Sequence, residues 1–424
     1  MNKNKGNVLA IGIMFFLFAM ISFVTGLQNP MGLIAKAQFG ATNAMSQLGN
    51  LANFIAYAFM GLPAGFLLKG KGYKFSALAA VTVGFVGVGI SYLSGVMGSF
   101  VVYLLGAFVS GFSMCMLNTV VNPMLNTLGG GGNKGNQLIQ FAGSCNSLSA
   151  TIAPVFAGYL IGEITEQTQV ADVNPALFIA MAIFAAAFLI IFFSHIPEPE
   201  LEAAAAAGEK EQEGTMASIK GALSHKNLLF GIIAIFLYVG VEVGIPGTMN
   251  FYLTDTLGTA NAATTAGFVA GTYWLLMLVG RFVSSLISGK VSSRTQLAVT
   301  SGTAIALVIV AMFTTNVQAS MPVFTGSGFG MAQVPLTALL LVLCGLCTSV
   351  MWGAIFNLSV EGLGKKSAAA SGLFMTMVIG GGILPLVQNA IADATTYMVS
   401  YWVPVAALAY ICWFALFGSK VKNA

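Results

Sequence analysis

Of the 13 acidic residues in this chain, none falls in the first 162 positions, and six crowd into residues 198–213. Only Glu242 sits deep in an apolar segment. A chain that shuns charge over such distances folds in a medium that penalises charge. Charged residues make up 7% of the chain and hydrophobic residues 57%, with a mean hydropathy of +0.88. An ordinary soluble domain carries roughly 25% charged residues, so the sequence excludes a soluble enzyme. The net charge of +4 comes from basic residues scattered among short loops and is no nucleic-acid signature.

Apolar runs of the roughly 20 residues needed to cross a bilayer lie near 9–33, 44–68, 76–95, 98–127, 137–161 and 176–196. Six more lie near 226–254, 262–289, 296–314, 335–360, 368–391 and 399–418. The basic residues test this count. Lys3, Lys5, Lys69, Lys71, Lys74 and Lys134 fall on one side, with Lys210, Lys220, Lys226, Lys290, Arg294, Lys365, Lys366, Lys420 and Lys422. The opposite loops carry Lys36 alone. The positive-inside rule then predicts cytoplasmic termini and a cytoplasmic central loop. The expected fold is an all-α membrane protein of twelve transmembrane helices in two six-helix, pseudo-symmetric bundles. The bundles would cover residues 1–196 and 226–424, joined by a polar linker at 197–225. The N-terminus has no small-residue cleavage site and reads as a retained first span. Fifty glycines suit closely packed membrane helices. The five cysteines all lie in apolar runs, and the Cys344/Cys347 pair has no second pair or nearby His to make a metal site.

The two halves look like repeats. Span 4 ends Asn122-Pro-Met-Leu-Asn-Thr-Leu-Gly129, and span 10 ends Asn357-Leu-Ser-Val-Glu-Gly-Leu-Gly364. Pro154 and Pro385 occupy similar places in spans 5 and 11. Span 1 carries Gly26, Asn29, Pro30 and Gly32, and span 7 carries Gly244, Pro246 and Gly247. Interrupted helices at matching places point to a transporter's central site, so both spans are expected to be broken there.

Polar side chains cluster nearby. Gln28 and Asn29 lie on span 1, Asn118 and Asn122 on span 4, and Gln140 and Asn146 on span 5. Tyr238, Glu242, Pro246 and Asn250 form a stripe at intervals of four on span 7. Trp274, Trp352 and Asn357 complete the candidate solute-contacting set. Carboxamides offer both donors and an acceptor, which suits a hydroxyl-rich solute, although each can equally bridge helices. Glu242 and Arg281 are the candidate coupling residues, with direct pairing left open because Arg281 sits about two turns nearer the cytoplasmic end. Two Gly/Lys loops, at 129–135 and 364–367, lack a complete P-loop pattern, so no ATP-driven engine is read.

Several stretches together resemble the fucose permease family of the major facilitator superfamily, which includes glucose/galactose transporters. They are Phe15-Phe-Leu, Pro63-Ala-Gly65, Asn118-Thr-Val-Val-Asn-Pro123, Cys145-Asn-Ser147, Tyr238-Val-Gly-Val-Glu-Val243, Gly280-Arg-Phe282 and Met375-Thr-Met-Val-Ile-Gly-Gly-Gly-Ile383. The resemblance implies the major facilitator fold, alternating access and a sugar-sized solute. It also implies lost coupling positions. Proton-coupled members carry an Asp where this chain has Gly26 and a Glu where it has Asn118. Their sugar-contacting Gln–Asn pair maps to Gly143 and Asn146. The resulting expectation is a monomeric, multi-pass importer of a monosaccharide or close relative in the bacterial inner membrane, with no organic cofactor. Glu242 is left as a sodium ligand, a relocated proton carrier or a brace between helices. The alternative is an exporter of small amphipathic compounds in the same superfamily.

Overall fold

The computed structural model describes residues 3–28, 34, 48–161, 169–198, 215–258, 262–324 and 328–420. Its helices are α1 (Lys3–Gln28), α2 (Leu48–Met97), α3 (Phe100–Leu128), α4 (Gly132–Ile161) and α5 (Asn174–Phe193). A short α6 (Thr215–Leu223) precedes α7 (Lys226–Thr256), α8 (Ala262–Ile287) and α9 (Ser293–Met312). Strands β1 (Gln318–Phe324) and β2 (Phe329–Pro335) follow, then α10 (Leu336–Thr348), α11 (Met351–Val360), α12 (Ser367–Thr376), α13 (Gly380–Ala394), α14 (Tyr397–Ser400) and α15 (Trp402–Trp413).

Ten segments among the described residues are long and apolar enough to cross a bilayer. One of them, α2, has 50 residues. At 1.5 Å per residue that is about 75 Å, more than twice a hydrocarbon core of about 30 Å, so it holds two spans. The division falls at Gly72, whose φ of 82° and ψ of −179° only glycine adopts easily. The 30-residue α4 is more polar but also long enough, which brings the count to twelve.

The chain forms two compact units. One comprises Met1–Gly131, Cys145–His225 and Val360–Ile379; the other comprises Gly132–Ser144, Lys226–Ser359 and Gly380–Ala424. Each unit therefore takes in the first part of a span whose remainder belongs to the other.

Small residues allow the close packing inside each unit. A Cβ on Gly87 would stand 2.6 Å from the Ser110 backbone, and one on Gly106 would stand 2.7 Å from that of Ser91. In the second unit, Gly380 lies against the carbonyl of Phe236. Backbones approach this closely where van der Waals contact, not the hydrophobic effect, drives helix association.

Two sequence expectations change here. Span 7 is not broken: α7 runs through Gly244, Pro246 and Gly247 as one 31-residue helix. A proline removes a single donor and can be absorbed by a long, well-packed membrane helix. The interruptions fall instead in span 10, at Ser349–Val350 between α10 and α11, and in span 11, where 3-10 geometry occupies Met377–Ile379. Asn29 and Pro30, the corresponding positions of span 1, lie outside the described residues.

An antiparallel hairpin between spans 9 and 10 is the other addition, with Gln318 opposite Pro335 and Phe324 opposite Phe329.

Candidate functional site

Glu242 stands at the midpoint of α7. Its carboxylate oxygen Oε1 lies 3.2 Å from Nη2 of Arg281 on α8. The pairing that depth left open is therefore made. Side chains on a helix lean toward its N-terminus. The two helices run in opposite directions, so Glu242 and Arg281 lean toward one another and close the two-turn gap.

Arg281 ties together more than the pair. Its Nη1 donates to the carbonyl of Gly143 at 3.2 Å, and its Nε donates to that of Ser349 at 3.4 Å. The neighbouring carbonyl, Val350, accepts from Nε2 of Gln140 at 2.8 Å. The two carbonyls at the lapse in span 10 are thus met by Arg281 and Gln140. Tyr238 is fully buried one turn before Glu242, with Trp352 set edge-on at 6.3 Å between ring centroids. Its hydroxyl lies beside Glu242 and Arg281. The side chains of Arg281 and Glu242 keep 9% and 13% exposure, so the pair is largely, though not wholly, withdrawn from solvent.

Further along α7 the same unit collects amides. Thr248 Oγ1 donates to Asn389 Oδ1 at 3.1 Å. Asn250 Oδ1 and Gln388 Nε2 are buried with no hydrogen-bond partner among the described residues. Gly244 faces Gln388: a Cβ there would stand 2.5 Å from Oε1. The glycine that suggested a helix break instead makes room for this amide. Sequence reasoning missed Thr248, Gln388 and Asn389. The spacing of Gln388 and Asn389 after Pro385, on a span otherwise apolar at its centre, was the available signal.

The remaining candidates in this unit touch neighbouring side chains. Asn357 donates to Ser293 Oγ at 3.0 Å. Trp274 is half-buried against Tyr273, whose hydroxyl bonds Thr348 Oγ1 at 2.7 Å.

In the first unit, Asn118 donates through Nδ2 to Tyr57 Oη and to the carbonyl of Met114, both at 3.1 Å. Its Oδ1 bonds no described residue, which leaves an acceptor beside a buried phenol. Asn122, fully buried, donates to the carbonyl of Asn118 at 2.9 Å. Asn146 donates to the carbonyl of Phe18 at 2.7 Å, joining α4 to α1. Gly26 is buried near the end of α1. Gln28 closes that helix but its side chain is not described, and Asn29 lies outside the described residues. At the lysine-bearing edge of this unit, Glu198 accepts from the backbone amides of Tyr73 at 2.7 Å and Lys74 at 2.8 Å. It thereby caps the helix that restarts after Gly72.

Twelve spans in two units, with a charged pair and unpartnered amides buried among apolar helices, define a multi-pass membrane transporter. The sequence profile of the Major Facilitator Superfamily matches residues 11–341, and the chain belongs to that superfamily. It is 28% identical to the glucose/galactose transporter of Brucella abortus over 99% of this chain and 95% of that protein. It is 23% identical to the L-fucose-proton symporter of Escherichia coli over 100% of this chain and 97% of that protein. The fold matches the crystal structure of the major facilitator transporter FucP in its outward conformation, with a TM-score of 0.82 and 21% identity. That match covers 98% of this chain and 100% of FucP.

Proposed function

We propose that this protein carries a monosaccharide or a close relative across the bacterial inner membrane by alternating access. We place it there as a monomer with both termini in the cytoplasm. The observation that carries the reading is likeness along nearly the whole chain to proteins named as sugar transporters. The open acceptor of Asn118 beside Tyr57 supports it, because a sugar hydroxyl can donate to it.

Energy coupling differs from that implied for the proton-coupled branch. Spans 1 to 5 hold no carboxylate and no His. Glu242 already faces a guanidinium. A sodium ion on that carboxylate would stand beside Arg281, and like charges about 4 Å apart repel by about 4 kcal/mol at an effective dielectric near 20. Glu242 therefore serves as a brace within its unit and not as a sodium ligand.

Counterflow in proteoliposomes, with a panel of labelled sugars, tests the reading. One or a few monosaccharides should exchange saturably, with sodium or without it. Asn118→Ala should raise the half-saturation concentration about two- to tenfold, the equivalent of one lost hydrogen bond. Exchange of an amphipathic cation but of no sugar would overturn the proposal. Sodium dependence would overturn the brace.

A further inference from the structure

The β1–β2 hairpin stands apart from the transport machinery. From residue 295 to residue 360 the chain has no charged residue, and the hairpin falls inside that stretch. An extramembrane hairpin facing only water would have no reason to be both uncharged and apolar at the strand ends that flank its turn, Phe324 and Phe329.

Its two faces differ. Met321, Val323 and Val334 point inward and are buried. The outward face is graded. Near the base, Gln333 Nε2 donates to Ser320 Oγ at 2.6 Å. Toward the tip, Phe324, Phe329 and Met331 follow, with Phe329 79% and Met331 67% exposed. β2 runs directly into α10, so the hairpin's base is fixed at a membrane boundary.

Phe329 locates the tip. Its ring meets Phe268 edge-on at 6.0 Å between centroids. Phe268 lies two turns into α8, at the outer edge of a membrane-spanning segment that begins at Thr265. It also lies seven residues before Leu275, and so on the same side of the helix. Leu275, Val279, Phe282 and Leu286 form the exposed apolar stripe of α8. An apolar stripe exposed on a membrane helix faces lipid. The tip therefore continues the lipid-facing surface of its own unit.

We propose that this hairpin is a membrane-surface anchor. Phe324, Phe329 and Met331 insert into the boundary between headgroups and acyl chains of the adjacent leaflet, while Ser320 and Gln333 stay in water. The occupant of the exposed face is a lipid bilayer, held by apolar burial without any electrostatic term.

Nitroxide labelling tests this. Cys145 and Cys412, the two cysteines that are not fully buried, are replaced by Ser. Single cysteines are then introduced as Phe329→Cys, Met331→Cys or Ser320→Cys, and the labelled protein is placed in zwitterionic phosphatidylcholine liposomes. Counterflow activity verifies the fold. Labels at 329 and 331 should collide severalfold more with oxygen than with a water-soluble nickel chelate, and the label at 320 should show the reverse. Adding Phe324→Glu and Phe329→Glu to the Met331→Cys protein should move that label into water. Three results would overturn the proposal. They are nickel accessibility at 329 and 331 equal to that at 320, tip accessibility that changes when a transported sugar is added, and spin–spin broadening that identifies a second copy as the occupant.

Discussion

Glu242 and Arg281 illustrate why a buried ion pair is a poor measure of stability and a good measure of constraint. Each ion alone would be stranded in an apolar segment, and removing one partner of such a pair typically costs about 3–5 kcal/mol. Arg281 would also abandon two carbonyls, those of Gly143 and Ser349. The expectation follows that Glu242→Gln and Arg281→Gln each lower the thermal unfolding temperature in detergent. The double variant should recover much of the loss from Glu242→Gln, because it leaves no unpaired charge behind. Fluorescence-detected thermal melts of the three variants measure this. A double variant as unstable as the sum of the singles would mean that the two residues do not act as a pair. At this scale the sequence was legible in kind. It marked Glu242 as the deep carboxylate and Arg281 as its candidate partner, because charges at membrane depth are rare. Gln388 and Asn389 were passed over despite their place after Pro385, because an amide on a membrane helix looks alike whether it faces a neighbour or a cavity.

At the scale of helices, hydropathy and lysine placement carried most of the architecture. Span 5 was the least apolar of the runs read, and the lysines supported the count that includes it. The misplaced breaks have a physical reason. Pro246 and two glycines read as an interruption, yet α7 stays helical. The lapse in span 10 falls at Ser349–Val350, which contains no helix breaker. Tertiary bonds from Gln140 and Arg281 meet it there, and no local pattern announces those bonds. The hairpin escaped notice because alternation is muted in a stretch so rich in small residues. The repeats, by contrast, reach down to matching contacts. Lys74 at the start of span 3 donates to the carbonyls of Phe192 and Ser194 at the end of span 6. Arg294 at the start of span 9 donates to Ser419 at the end of span 12. Each is a cation on the carbonyl end of a helix, where the macrodipole favours it. Among the described residues, the first repeat alone adds an acidic cap, Glu198, on the helix that follows Gly72. Glu198→Ala should therefore lower stability by about 0.5–2 kcal/mol, the range for losing an N-terminal cap. Glu198→Asp should retain part of it. A thermal melt unchanged in Glu198→Ala would show that water replaces the cap without cost.

At the scale of the molecule, each unit holds a helix segment that belongs by sequence to the other half. Residues 132–144 lie in the second unit, while 145–161, the rest of the same helix, lie in the first. If transport proceeds by rocking of two bundles, this segment has to leave its seat once per cycle. The seat is held by Gln140 on Val350 and by Arg281 on Gly143, yet it is not fully satisfied. Asn136 is fully buried with both side-chain atoms unpartnered among the described residues. Stranded polar groups cost about 1–3 kcal/mol each, which raises the energy of the seated state toward that of its alternative and lets both be populated. Gly353 provides the opposing surface: a Cβ there would stand 2.9 Å from Asn136 Oδ1 and 2.9 Å from Gln140 Nε2. Asn136→Cys combined with Gly353→Cys should therefore form a disulfide under mild oxidation. The cross-linked protein should still bind solute from the side opposite the lysine-bearing loops, but it should not complete counterflow. Reduction should restore transport, and each single cysteine variant should be insensitive to oxidant. Transport at an undiminished rate with the cross-link intact would mean that residues 132–144 stay seated through the whole cycle, and that the moving parts divide elsewhere.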